Sequence, residues 1–304
     1  MKNVQPFSRQ VEIKVGPLTE WEGGGDESAA VRFYGDGTNN NLRIKFSIAK
    51  HIVSTSTTTT ISVYNLGPGI RGALQKPETQ VIVNAGWANV GLLSVFKGTV
   101  WNIVSRRDGA DIVTDLLCTA AMGSIARTAL SKSFGPTYEL SQMLFDIANL
   151  FPGVDVDPKL IDVKNVFLGN QGYSYAGPAS DLLDKLSRVH GFSWWINDGR
   201  FYAIDDNKKI NIGNVVISAN NGFLIRAEPI LTTPFQVQAG TSIESLFNPY
   251  IAPGGSVVLD TKINPLLNGT YKVHELTHLG DTHSDEWTTS IINHKELKEV
   301  DDGQ

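Results

Sequence analysis

Short runs of alternating apolar and polar residues, each broken by a glycine or asparagine turn, are the feature that most limits what this chain can fold into. Val11, Ile13 and Val15 alternate with polar neighbours, and so do Leu42, Ile44, Phe46 and Ile48. Thr57, Thr58, Thr59 and Thr60 lead into Ile61-Ser62-Val63-Tyr64, which stops at Asn65-Leu66-Gly67-Pro68-Gly69. Runs at residues 80–83, 93–96 and 99–101 continue the pattern, with Asp36-Gly37 and Arg107-Asp108-Gly109 as turns. A period of two puts alternate side chains on opposite faces, the mark of half-buried strands. Many short, evenly spaced strands point to a closed or nearly closed antiparallel barrel. A short helix fits residues 69–74, between two of the strands.

The period changes after Ala120. Leu140, Met143, Leu144, Ile147 and Phe151 fall at helical spacing and stop at Pro152-Gly153. A second helix carries Leu182, Leu183, Leu186 and Val189, with Ser180 as its expected N-cap, Asp181 in its first turn and Gly191 as its stop. Asn197-Asp198-Gly199 between two aromatic-rich runs is a strong hairpin signal. From about residue 211 strands return, with turns expected at Asn268-Gly269 and Gly280-Asp281 and an acidic tail at 296–302. The order is β, then α/β, then β. It divides the chain into a first β-barrel module at 1–125, an α/β insertion at 126–208 and a second β-barrel module at 209–304. No clear sequence repeat links the two β modules.

Composition removes several classes. With 304 residues the chain has room for about two domains and a large core. Charged residues make up 19% of it, below the usual share of about 25%, which excludes a disordered acidic protein or a coiled coil. Cys118 is the single cysteine, so no internal disulfide can form. The net charge of −5 is opposite in sign to that of a tight, phosphate-neutralising nucleic-acid binder. The first twenty residues lack the apolar stretch of a signal peptide, and no run reaches the ~20 residues of a membrane span. These patterns place folding in a cytoplasm.

His274-Glu275-Leu276-Thr277-His278 matches HExxH, the zinc-protease signature. That chemistry needs a helix, which sets the two imidazoles about 6 Å apart on one face. Here the run alternates and lies between two turns, so it reads as a strand. On a strand His274 and His278 share a face but stand about 13 Å apart, too far for one zinc at ~2 Å per bond. His283 and Gly280 each come one residue too early for the longer HExxHxxGxxH pattern. The histidines read as exposed strand residues.

Other candidates have plainer readings. Ser47 and Lys50 have the SxxK spacing but lie in a strand without companion motifs. Gly23-Gly24-Gly25, Gly35 and Gly37 do not sit at a strand-to-helix phosphate loop. Cys118 lies in an apolar run and reads as a buried thiol. Asp155 and Asp157 lack the periodicity of a calcium loop. Trp194 and Trp195 could stack on a sugar, but adjacent aromatics beside a tight hairpin more often have one ring in a core and one at an interface. No catalytic, cofactor-binding or metal-ligating set is assigned.

With no catalytic constellation left, residues 41–120 become informative. They run through Ile61-Ser62-Val63-Tyr64-Asn65-Leu66, a short helix with Arg71 and Leu74, Val81 to Ala85-Gly86-Trp87, and Phe96-Lys97-Gly98-Thr99-Val100. Gly269-Thr270-Tyr271-Lys272-Val273 and Trp287-Thr288-Thr289 continue the series near the end. This order resembles the baseplate hub proteins of contractile-tailed phages and related injection systems. The resemblance implies a mainly β fold: two tail-tube-like antiparallel β-barrel modules and a small α/β domain. It also implies a structural virion protein without enzymatic activity, a homotrimer whose six barrels form a pseudo-sixfold ring. Its expected partners are the central spike protein, the tail tube protein or tube initiator, inner baseplate or wedge proteins and the tape measure protein. DNA would pass through the channel without specific binding, and an acidic chain suits an electronegative lumen. Assembly would take place in the host cytoplasm. The alternatives are a zinc metallopeptidase or cell-wall hydrolase using His274, Glu275 and His278, and a carbohydrate-binding module using Trp194 and Trp195.

Overall fold

The alternating runs become strands because each offers one apolar edge to a shared core and one polar edge to solvent. The computed structural model describes residues 8–17, 31–38, 40–53, 58–74, 79–167, 172–210, 214–232 and 237–294. The first part contains β1 (Arg9–Pro17), β2 (Val31–Gly35), β3 (Ile44–His51), β4 (Thr58–Tyr64), the helix α1 (Pro68–Leu74), β5 (Thr79–Trp87), β6 (Gly91–Asp108) and β7 (Asp111–Thr119). The middle holds α2 (Met122–Arg127), β8 (Ala129–Phe134), α3 (Leu140–Ala148), β9 (Ile161–Asp162), β10 (Tyr173–Pro178), α4 (Ala179–His190), β11 (Phe192–Asn197) and β12 (Arg200–Asp205). The last part contains β13 (Asn214–Ser218), β14 (Leu224–Thr232), β15 (Val237–Leu246), β16 (Ser256–Asp260), β17 (Gly269–Lys272), β18 (Glu275–Asp281) and β19 (Trp287–His294). The fold is mainly β, with antiparallel sheets and few helices.

Eleven strands form one sheet in the order β14-β15-β19-β18-β3-β4-β7-β6-β5-β1-β2. Runs 93–96 and 99–101, separate in the sequence pattern, are parts of the single 18-residue β6. Its first half pairs with β5 and its second half with β7, with a register shift between Val100 and Asn102. A bulge sharpens the local twist, and β6 folds the sheet over a common core. That core takes Val11 and Ile13 from one layer and Phe46, Ile61 and Leu116 from the other.

The α/β unit has its own core, built by the stripe Leu140, Met143, Leu144 and Ile147 of α3 and by Leu182, Leu183 and Leu186 of α4. Gly191 ends α4 at φ +69°, its N–H donating to the Ser187 carbonyl. The cap is different from the sequence expectation. Pro178 holds the N-cap position with no side-chain bond, and the Ser180 hydroxyl turns to Asp181 instead. Asp198 and Gly199, at φ +53° and +74°, make the expected tight turn between β11 and β12.

The β parts are joined where the sequence pattern gives no hint. β3 pairs antiparallel with β18, from Glu275 opposite His51 to Asp281 opposite Lys45. Gly280 is inside β18 rather than in a turn. A Cβ there would meet the Phe46 ring at 2.3 Å and the Trp287 ring at 2.8 Å, so only glycine fits. Phe46, Phe247 and Trp287 pack as one aromatic group across this seam, with centroids 5.0–6.0 Å apart. The Trp87 indole donates to the Phe247 carbonyl at 2.9 Å, and Arg43 grips Asp281 through two bonds of 2.7 and 3.2 Å.

Candidate assembly surface

Glu275 to His278 lie on β18 and His274 lies just before it, so the imidazoles cannot share a helical turn. His278 points inward and is 1% exposed. This differs from the exposed position expected from sequence: Phe247 and the Lys50 end of β3 cover it. Its Nδ1 lies 2.9 Å from the Thr289 hydroxyl, and its ring faces Phe247. Burial, with Lys50 adding repulsion, pushes its pKa down to about 3, so the ring is neutral. His274 accepts from the His294 backbone N–H, and burial, then Lys272 and His294, push its pKa down to about 4. Glu275 is exposed and meets the His294 ring at 3.2 Å. His283 sits in the next turn against Thr282. Among the described residues no group of three His, Cys, Asp or Glu is arranged to hold a metal ion.

The lesser motifs are also built into the fold. Lys50 is buried and its ammonium meets Asp198 at 2.5 Å, while Ser47 stands on the opposite face of β3. Burial pushes the Cys118 thiol up to about 12. Asp155 pairs with Arg200, and Asp157 accepts from the Lys159 N–H. Gly37 takes φ +77° beside Asp36, whose carboxylate accepts from Thr38; Gly23–Gly25 lies outside the described residues. Trp194 stacks between Phe151 and Phe201 and donates to Asp184. Trp195 stacks on Tyr202 and packs with Ile52 where the α/β unit meets the sheet. Neither ring is open to a sugar. A cleft of about 300 Å³ between sheet and insertion is lined by Gln80, Lys97, Thr99, Ser124, Arg127 and Val154, and its lining holds no carboxylate, imidazole or thiol.

What remains is a surface. The solvent face of the sheet carries Ser242, Ser290, Thr288, Thr277, Ser47, Thr60 and Ser62 interleaved with Leu246, Leu279, Leu117 and Ile292, and the register sets Thr277 opposite Ser290 and Ser47 opposite Thr60. Lys45, Asp115 and Glu244 add scattered charges of both signs. Hydroxyl and aliphatic side chains alternate across this face.

The strand order contains a repeat. From β6 to β14 it reads β6-β7-β4-β3, then β18-β19-β15-β14. Within each group of four, taken in chain order, the third strand comes first, then the fourth, second and first. Two β parts without visible sequence repetition therefore have the same topology, laid head to tail.

This architecture is that of phage tail proteins. A tail protein from Neisseria meningitidis MC58 superposes with TM-score 0.63 at 9% identity, covering 95% of this chain and 97% of that one. A tail protein of prophage MuSo2 from Shewanella oneidensis gives 0.61 at 12%, covering 94% and 97%. A type VI secretion system component from E. coli, itself described as similar to phage T4 tail proteins, gives 0.57 at 10%, covering 84% and 74%. No curated protein sequence matches the chain. The family described as "Baseplate hub gp41" matches residues 29–291, and the chain belongs to that family. It is a structural component of the tail baseplate.

Proposed function

We propose that the chain is a homotrimeric hub whose three copies form a pseudo-sixfold ring between the tail tube and the central spike. The observation that carries this reading is the repeated four-stranded topology: two repeats per chain and three chains supply six similar units. On this reading residues 1–125 and 209–304 are the two tube-like modules, and 126–208 is an outlying α/β domain. The central spike, the tail tube or its initiator, wedge proteins and the tape measure are its neighbours, and assembly takes place in the host cytoplasm.

The outward face of the large sheet, with its mixture of hydroxyl and aliphatic side chains, lines the channel on this reading. An acidic chain suits an electronegative lumen through which DNA slides without sticking. The chain has no catalytic role here, since the HExxH segment is spent on a strand and its core.

Negative-stain electron microscopy with light scattering tests the hub reading. Threefold or near-sixfold rings with a DNA-wide hole are expected; a chain that remains monomeric at every concentration overturns it. Stoichiometric zinc, with peptidase activity lost in Glu275→Ala, would instead establish the enzyme.

A further inference from the structure

We propose that the cleft between the sheet and the insertion is a docking site for an acidic peptide segment of a neighbouring baseplate protein. Lys97 holds a carboxylate of that segment, and Gln80 accepts from one of its backbone N–H groups. The inference goes beyond the ring reading and does not depend on how many copies form the hub.

Three parts of the chain converge on the cleft. β5 supplies Gln80, β6 supplies Lys97 and Thr99, and α2 supplies Ser124 and Arg127. Its volume of about 300 Å³ is many times what one water or a simple ion needs. Glycine and alanine form much of the wall, Gly98, Ala121, Gly123 and Gly153 among them. A peptide backbone can therefore come close without meeting long side chains.

Gln80 gives the first sign of a ligand. It is 6% exposed, and its side-chain oxygen is buried with no hydrogen-bond partner among the described residues. Buried acceptors are nearly always bonded, because burial strips away their hydration. An unanswered acceptor in the wall of an open cleft calls for a donor that enters the cleft.

Charge gives the second. On a chain of net charge −5, this cleft is lined by two cations and by no carboxylate. The Lys97 ammonium makes no ion pair with an acid among the described residues. Asp198 is close by but engaged, its carboxylate taking the Lys50 ammonium at 2.5 Å and the Lys97 backbone N–H at 3.1 Å.

Together the two signs select one chemistry. A bare carboxylate, a sulfate or the phosphodiester backbone of DNA satisfies Lys97 but has no hydrogen to give the Gln80 oxygen. A peptide carries both groups, an amide N–H and, on Asp or Glu, a carboxylate within one residue of it. Ser124 extends the match. Its hydroxyl donates to the Pro152 carbonyl at 2.7 Å, which leaves its oxygen able to accept a second N–H. The ammonium–carboxylate bond is the strong member of the set.

The test compares purified baseplates with the isolated chain by mass spectrometry. Acetic anhydride reports how accessible the Lys97 amine is, and a carbodiimide joins that amine to any carboxylate it touches. In baseplates Lys97 should be acetylated at least tenfold more slowly, and the carbodiimide should link it to an Asp or Glu of another protein. Equal acetylation in the two states overturns the site. So does protection without a link to another protein, including a link confined to Asp198 or protection that nuclease removes. Two substitutions separate docking from folding. Gln80→Leu should leave the unfolding midpoint of the isolated chain within a few degrees of the parent's while the carbodiimide link falls at least fivefold. A clearly lower midpoint would show that the amide is bonded within the fold, which also overturns the site. Lys97→Glu should be lost from baseplates and Lys97→Arg retained; incorporation of Lys97→Glu equal to the parent's counts against the site in the same way.

Discussion

At Gly280 one hydrogen atom is all the space the chain allows. Gly280→Ala would drive a methyl into the rings of Phe46 and Trp287, both held by the aromatic group at the seam, and should cost about 1–3 kcal/mol. The midpoint of urea unfolding measures it. His278 gives a pH signature. Its folded pKa of about 3 lies below the ordinary ~6.5, so the unfolded chain binds the extra proton. Its contribution is complete above pH ~6.5 and is lost as pH falls toward 3, with a limiting slope of about 1.4 kcal/mol per pH unit. Urea titrations between pH 7 and pH 5 should show this decline together with that of His274, whose pKa is also pushed down, and His278→Gln should make it shallower. The alternation around His278 was legible in the sequence, since it makes a strand whatever covers it. Its burial was not, because Phe247 and β3 are brought over it from distant parts of the chain.

Among the elements, the β11–β12 hairpin and helix α4 show the same division. Asn197-Asp198-Gly199 announces its turn, because positive φ at two successive positions favours these residues. The Asp198 carboxylate also reaches Lys50 of β3 and the Lys97 backbone N–H of β6, tying the insertion to the sheet. Asp198→Asn keeps the turn and removes the charge. Left with a buried ammonium, the fold should lose about 1–3 kcal/mol, less than a fully buried pair because Asp198 is partly exposed. Chemical denaturation checks this, and limited proteolysis should find the insertion cut sooner. At α4 the cap expected at Ser180 is absent. Ser180→Ala should therefore change stability by less than ~0.5 kcal/mol, where loss of a true N-cap costs about 1. Helical spacing marks an element's length better than its first residue, because capping depends on where the preceding strand delivers the chain.

For the whole molecule, the mainly β class and the helices α3 and α4 were readable from periodicity. The repeated topology was not. A strand needs only alternation, so two copies of one four-stranded layout can lose all sequence likeness and keep their order. Phe247 and Trp287 join the second part's seam to the first part's core, a role that alternation along a strand does not reveal. Phe247→Ala should cost about 3–5 kcal/mol and loosen both parts together, seen as a single cooperative transition moving to lower urea.

The β3–β18 joint also sets an order of events in time. β3 is complete by His51, but its partner ends at Asp281, so nearly the whole chain must leave the ribosome before that edge is covered. Contacts this distant in sequence form late and slowly. Until then Ile44–His51 is a bare strand edge, open to the wrong neighbour. A nascent chain halted before Glu275 cannot hide that edge, whereas a finished chain closes it internally.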